Sequence, residues 1–245
     1  MEPGNLELLR EGLKGFGLSP EPEQVQAMVR HLELVADWNQ RINLTAVTEE
    51  REMVIKHLLD SASVLTVLRP QAGSRLLDVG SGAGFPGLTI KCLVPAAEVV
   101  LLESMAKRCR FLEAAVAEVM PLLHNPGGIQ VVWARAEDAA RRSGFREAFD
   151  GVVARAVAEM RVLSEYCLPF CRVGGEFVAM KGPGVHAELE AARRAITLLG
   201  GEIAEVRELE LPDGAGSRTL VRIRKVQHTP GAYPRKAGIP ARNPL

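Results

Sequence analysis

The chain has 245 residues and is 47% hydrophobic, enough for one sizeable core and an extension. Thirty basic and thirty acidic residues give a formal net charge of zero, which excludes a global electrostatic pull towards nucleic acid or membrane. Four scattered cysteines, an acidic amphipathic start and no apolar run of the ~20 residues that cross a bilayer argue against a disulfide scaffold, a signal peptide and a membrane anchor, so a cytoplasmic protein is expected.

Residues 1 to 70 read as a helical extension. Ser19-Pro20 is a helix-start signal, because proline in the first turn lacks only an N–H that the helix does not use. Val25, Met28, Leu32, Val35, Trp38 and Ile42 then recur at three- and four-residue steps and define one apolar face. A second helix is expected from Glu49 to Leu68, with Met53, Leu58, Ala62 and Leu65 inward. Between them lies DWNQRINLTAV, with amides and hydroxyls set among hydrophobes. The extension carries 7 Lys/Arg against 11 Asp/Glu, a net of −4.

After Pro70 the rhythm changes. RLLDV, EVVLLE, IQVVWA, FDGVVA and GGEFVAMK are short β-rich runs, each followed by a helical stretch, which implies parallel βαβ units covered on both faces. EIAEVRELEL and SRTLVRIRK are separated only by PDGAG, too short for a crossover helix, so they should form an antiparallel hairpin. The expected fold is α/β: residues 71 to 226 form a Rossmann-like seven-stranded sheet whose last hairpin is antiparallel. The remaining residues, 227 to 245, are a basic, Pro-rich tail expected on or near the face that carries the site. From Arg218 to Leu245 there are 7 basic residues and no acid, a net of +7, which points one end of the molecule at an anion. Cys167-Leu-Pro-Phe-Cys171 lacks the second pair or histidines of a zinc site, so no metal is expected.

LLDVGSGAGFPGLTI, residues 76 to 90, carries the densest local signal. Its glycines fit two patterns. Gly82-x-Gly84-x-x-Gly87 is a dinucleotide fingerprint, which would make the chain an NAD(P)-dependent oxidoreductase. Asp78-x-Gly80-x-Gly82-x-Gly84 is the loop that S-adenosylmethionine (SAM) methyltransferases place after their first strand. Asp78 would repel a pyrophosphate but can serve the cationic parts of SAM. Glu103 ends the second strand, where either cofactor's ribose could be held. Ala136-Glu137-Asp138 follow the third, where an acid and a free N–H suit adenine. Three acids at successive strand ends favour SAM, and the closing hairpin matches the seven-strand layout of class I methyltransferases.

No Asn-Pro-Pro-Tyr stretch and no Pro-Cys at a strand end is present, features that exocyclic amine or pyrimidine carbon-5 methylation would use. A purine ring nitrogen with its own lone pair needs neither; in-line attack requires proximity and orientation.

The chain resembles the ribosomal RNA small-subunit methyltransferase G family (also called glucose-inhibited division protein B). The resemblance runs through WNQRINLTAVTEEREMVIKHLLDS, LLDVGSGAGFPGLTIK, LLESMAKRCRFL, VVARAVAEM, GGEFVAMKG and YPRKAGIPARNPL. Its specific parts are Phe85-Pro86-Gly87, Trp38-Asn39 with Asn43-Leu44-Thr45, and the Pro-Arg-Lys tail. It implies a bacterial enzyme that moves a methyl from SAM to N7 of one guanosine in 16S rRNA, leaving S-adenosylhomocysteine, with naked rRNA and an assembling subunit both open as substrate. A ribosome-assembly RNA binder with a degenerate fold is the other alternative. By position, the resemblance puts SAM against Gly80, Phe85, Glu103, Ser104, Met105, Ala136, Glu137 and Arg155, beside the Asp78, Gly82 and Gly84 of the loop. The family often carries Thr or Lys near Met105 or Ala106, so the side chain there is expected to be dispensable.

Arg155 and Lys181, ending the fourth and fifth strands, are expected to position the reactants, with no acid–base catalyst required. Lys107, Arg108, Arg110, Arg135, Lys181, Arg235 and Lys236 could line a phosphate-binding rim. Asn39, His57 and Asp60 could help shape the guanine pocket, or His57 and Asp60, three apart on a helix face, could form a buried pair. With no coiled-coil or swapped-strand signal, a monomer is expected.

Overall fold

The computed structural model describes residues 1 to 155 and 157 to 245. The N-terminal extension opens with α1 (Pro3–Gly15) and α2 (Pro22–Asn39). Helix α2 starts at Pro22, two residues later than Ser19-Pro20 indicated, because Glu21 serves as N-cap and its N–H donates to Gln24 Oε1 at 2.8 Å. It ends at Asn39, so Ile42 packs on the core from the following loop.

The second helical stretch is not one α-helix. It runs as α3 (Glu50–Met53), a π-helical segment Val54–Leu59, α4 (Asp60–Ser63) and a 3₁₀ turn Val64–Thr66. A π segment adds a residue to the turn and rotates everything after it, and such segments gather at functional sites. Here it changes where His57 and Asp60 point.

The strands are β1 (Arg75–Val79), β2 (Glu98–Glu103), β3 (Ile129–Trp133), β4 (Phe149–Arg155), β5 (Cys171–Lys181), β6 (Gly201–Glu210) and β7 (Ser217–Lys225). Helices α5 (Gly87–Leu93), α6 (Ala106–Val119), α7 (Ala136–Ala139), α8 (Met160–Cys167) and α9 (Val185–Leu198) follow β1 to β5 in turn, and α10 (Ile239–Arg242) lies in the tail. The sheet order is β3-β2-β1-β4-β5-β7-β6. The first five strands are parallel, and β7 runs antiparallel to both β5 and β6.

Strand alternation divides the core into two layers. Leu76, Val99, Leu101, Val153, Val178 and Leu220 face the extension with α5 and α6. Leu77, Val100, Leu102, Val152, Phe177 and Val221 face α8, α9 and the tail. The extension therefore shares a core with the sheet: Leu9, Met28, Leu32 and Leu58 belong to the same cluster as Leu101 and Phe111. Two lysines are fully buried. Lys91 donates to the carbonyls of Pro95, Ala97 and Gly127, and Lys225 to those of Leu168 and Cys171 and to Glu147. Each charge is thus matched by oxygen acceptors, as burial requires. All four cysteines are free and buried.

Candidate active site

The strand order reverses at β1, whose neighbours β2 and β4 lead away in opposite directions, so a crevice opens beyond their carboxyl ends. The chain crosses it from Gly80 to Pro86. Gly80 and Ser81 donate their N–H groups to Leu102 O at 2.8 and 3.1 Å, which ties the loop to the end of β2. Gly84 has a φ of +87°, and a Cβ there would lie 2.9 Å from His31 Nε2, so both backbone and packing require glycine.

Glu103 holds this loop. Its Oε2 accepts the Gly82 N–H at 3.0 Å, while Oε1 accepts the N–H groups of Ser104 and Met105 at 2.7 and 2.8 Å. An ionised carboxylate has about four acceptor positions, so capacity remains for a ligand hydroxyl.

Asp78 does a different job from the one its position implied. Its side chain shares parity with Leu76 and lies under the loop, 1% exposed, where Oδ2 accepts the Gly87 N–H at 3.0 Å. Burial pushes its pKa up to about 7, against the pull of that N–H, and Oδ1 has no partner. It braces the start of α5 and does not line the crevice. The same contact counts against the dinucleotide reading, because a pyrophosphate would need the N–H that Asp78 has taken.

Phe85 is sandwiched between two imidazoles, His31 at 4.5 Å and His57 at 4.8 Å between centroids, and the Arg155 guanidinium lies 5.3 Å from its ring centre. His31 Nε2 contacts Ala83 O at 2.7 Å and His57 Nε2 contacts Thr45 Oγ1 at 2.8 Å. Burial, with the Arg155 charge nearby, lowers both histidines to about 4, so both rings are neutral at pH 7. Arg155, at the end of β4, donates through Nη1 to Lys56 O at 2.9 Å and Asp60 Oδ2 at 3.1 Å. Arg218 Nε sits 3.2 Å from Asp60 Oδ1 as an ion pair without hydrogen-bond alignment.

These groups surround a cleft of about 350 Å³ lined by Gly80, Gly82, Phe85, Glu103, Ser104, Arg108, Arg155 and His57, with Leu44, Thr45, Ser81, Ala83 and Val157. A second hollow of about 120 Å³ adjoins it through Gly80, Ser104 and Val157, and its walls include Arg135, Ala136, Glu137 and Tyr166.

Several other residues singled out from the sequence lie away from the cleft or are engaged by protein partners. Asn39 is not among the cleft-lining residues: its Oδ1 accepts the N–H groups of Leu44 and Thr45 and its Nδ2 donates to Thr45 O, so it fixes the loop that presents Thr45. His57 and Asp60 make no pair, since the π segment turns one to Thr45 and the other to Arg155. Lys181 Nζ donates to Ala158 O at 2.9 Å and Glu188 Oε1 at 2.7 Å, away from the cleft. Arg235 is engaged by fully buried Glu165 through Nε and Nη2, which leaves a structural ion pair in place of a phosphate contact. Met105, Lys107 and Arg110 are exposed near or on α6, and Lys236 is exposed in the tail. Glu137 is buried and its Oε1 accepts the Gly238 N–H at 2.9 Å, so the tail shares that acid with the smaller hollow.

The sequence assigns no site role to Thr45, His31 or Arg218. Thr45 had a signal, the polar cluster of DWNQRINLTAV; Arg218 had none, because only the hairpin brings it beside Asp60.

A seven-stranded sheet of this order, with a glycine loop after β1 and acids ending β2 and following β3, defines a class I SAM-dependent methyltransferase. Among solved structures it is similar to TrmN from Thermus thermophilus (19% identity, TM-score 0.50, 69% of this chain and 48% of that one) and to Atu636 from Agrobacterium tumefaciens, described as a predicted O-methyltransferase (19%, 0.51, 69% and 80%), likenesses that show the fold. The model of the family described as rRNA small subunit methyltransferase G matches residues 24–220, and the chain belongs to that family. Curated relatives named ribosomal RNA small subunit methyltransferase G include that of Symbiobacterium thermophilum, 58% identical over 97% of both chains. That of Carboxydothermus hydrogenoformans is 45% identical over 94% of this chain and 95% of its own.

Proposed function

We propose that this protein transfers the methyl group of SAM to N7 of a guanosine in 16S rRNA, as a monomeric cytoplasmic enzyme acting on rRNA or on an assembling small subunit. The observation that carries the reading is the cleft at the β1 switch point, where Glu103, the glycine loop and Arg155 converge in a chain of this family.

The residues present fit SAM. A Cβ on Gly82 would meet nothing closer than Gly80 O at 3.8 Å, so the loop leaves room for a ligand. Glu103 would accept the ribose hydroxyls, Ala136 and Glu137 would face the adenine, and the guanidinium of Arg155 would hold the amino-acid carboxylate, with Phe85, Ser104 and Met105 along the cofactor's length. SAM supplies an electrophilic methyl on a sulfonium.

The chain's own groups then need only position and solvate. Guanine N7 carries an in-plane lone pair, so no general base and no covalent adduct is required. His57, neutral at pH 7, would add no positive charge to a cleft that takes a cationic cofactor, and Asp60 offsets that of Arg155. Phe85, flanked by the two imidazoles, gives the cleft a rigid aromatic wall. Arg108 lines the cleft and Lys107 and Arg110 stand exposed on the same helix, where they would meet phosphates at the RNA side.

Thermal-shift titration tests the cofactor assignment. Stabilisation by SAM and S-adenosylhomocysteine, with none by NAD or NADP, is expected; the reverse pattern would overturn it.

A further inference from the structure

The tail is a strap with a built footing. From residue 229 onward it lies along α7 and the turn that follows. Arg146 donates to the carbonyls of Thr229 and Tyr233 at 2.7 and 2.8 Å, and Arg141 donates to Ala232 O and Pro234 O. Glu165, fully buried, accepts the backbone N–H and the guanidinium of Arg235, and buried Glu137 accepts the Gly238 N–H. Leu245 and Tyr233 pack against the core layer that faces α8 and α9.

This footing consumes the acids and leaves cations. Residues 135 to 147 and 229 to 245 contain Arg135, Arg141, Arg142, Arg146, Arg235, Lys236 and Arg242 against Glu137, Asp138 and Glu147, and Glu147 is taken up by Lys225, His228 and the Thr229 N–H. Glu137 is buried, which leaves Asp138 as the one exposed acid. Arg135, Arg142, Lys236 and Arg242 are exposed, and none makes an ion pair among the described residues. Arg135 lines the smaller hollow of the cofactor cleft, and Arg242 Nε donates to O of Gly238, the residue held by Glu137 of that hollow, so the cations gather beside the site.

We propose that the strap and the α7 turn together form a docking surface for the sugar–phosphate backbone of the substrate RNA. The inference rests on the rRNA reading above. Charge complementarity identifies the partner: exposed cations without ion pairs among the described residues, on a fixed backbone beside the cleft, match a polyanion that must also deliver one base there. The strap presents the cations and the buried carboxylates beneath it hold them in register.

The test compares R142Q/K236Q/R242Q with a control of equal charge loss on the extension side, R10Q/K14Q/R69Q. Both are full-length proteins, assayed for binding to transcribed 16S rRNA as a function of KCl. The strap variant is expected to bind at least tenfold more weakly at about 100 mM salt and to lower the slope of log K against log[salt] by about 2, since each lost phosphate contact removes ~0.7–0.9. Its Tm and SAM affinity should match wild type, which excludes a folding defect. Equal affinity and slope in the two variants would overturn the proposal, as would a strap variant that loses binding to an anionic vesicle but not to rRNA. A wild-type protein that transfers no methyl to rRNA would instead remove the functional reading on which the dock rests.

Discussion

Asp60 Oδ2 lies 3.1 Å from Arg155 Nη1, and this contact joins the helical extension to the end of β4. The carboxylate is 4% exposed and also faces Arg218 from β7, so one acid from the extension serves two cations of the sheet. Arg155 is therefore oriented before any ligand arrives. Replacing Asp60 with Ala leaves the half-buried Arg155 guanidinium without its acid, and a loss of about 1–3 kcal/mol in urea unfolding is expected. The double replacement of Asp60 and Arg155 by Leu and Met should lose much less than the two single changes combined.

Glu103→Ala removes the acceptor for three backbone N–H groups of the loop. SAM affinity should fall roughly ten- to a hundredfold, the range for a lost hydrogen-bonding charge. Trp133 gives the readout: it is 66% exposed and its indole N–H donates to Ser104 O at 3.0 Å, beside the cleft. Its fluorescence should change on ligand binding in wild type at far lower SAM than in the variant.

Stability should fall as the protein is acidified from pH 6.5 towards 4. His31 and His57 have folded-state pKa values near 4 against 6.5 for the free group, so the unfolded chain takes up protons first. A depressed value means that their contribution is full above 6.5 and lost as pH drops through 4. Asp78 acts with the opposite sign. Its pKa rises from 3.8 to about 7, so its contribution is full below 3.8 and lost as pH rises through 7. Two imidazoles outweigh one carboxyl, and the net slope stays positive. His31→Gln should shallow the dependence of Tm on pH, and ring signals of both histidines should titrate near pH 4 in NMR.

Gly84→Ala combines a φ of +87° with a Cβ 2.9 Å from a buried imidazole. A loss of about 1–3 kcal/mol is expected by denaturant unfolding, with weaker SAM binding because the loop moves off Phe85.

Much of this was legible in the sequence, for a physical reason. RLLDV, EVVLLE and SRTLVRIRK coincide with β1, β2 and β7 because a strand buried on a sheet declares itself by a local apolar run. The glycine loop and Glu103 were equally local. What the sequence hid were partners distant along the chain. The π segment that contains His57 and precedes Asp60 has no residue signature, and Arg235, a free cation by sequence alone, rests on Glu165, 70 positions earlier. Asp78 sits at the end of β1 as its sequence position indicates, but parity turns its carboxylate under the loop.

The most direct measurement is nucleoside analysis of 16S rRNA from cells lacking this protein, compared with the same cells carrying it, together with in vitro transfer from methyl-labelled SAM. The account predicts that one N7-methylguanosine disappears from 16S rRNA in its absence, and that purified protein restores it with the label at N7. An unchanged N7-methylguanosine content, or label recovered on another base or only on small molecules, would contradict it.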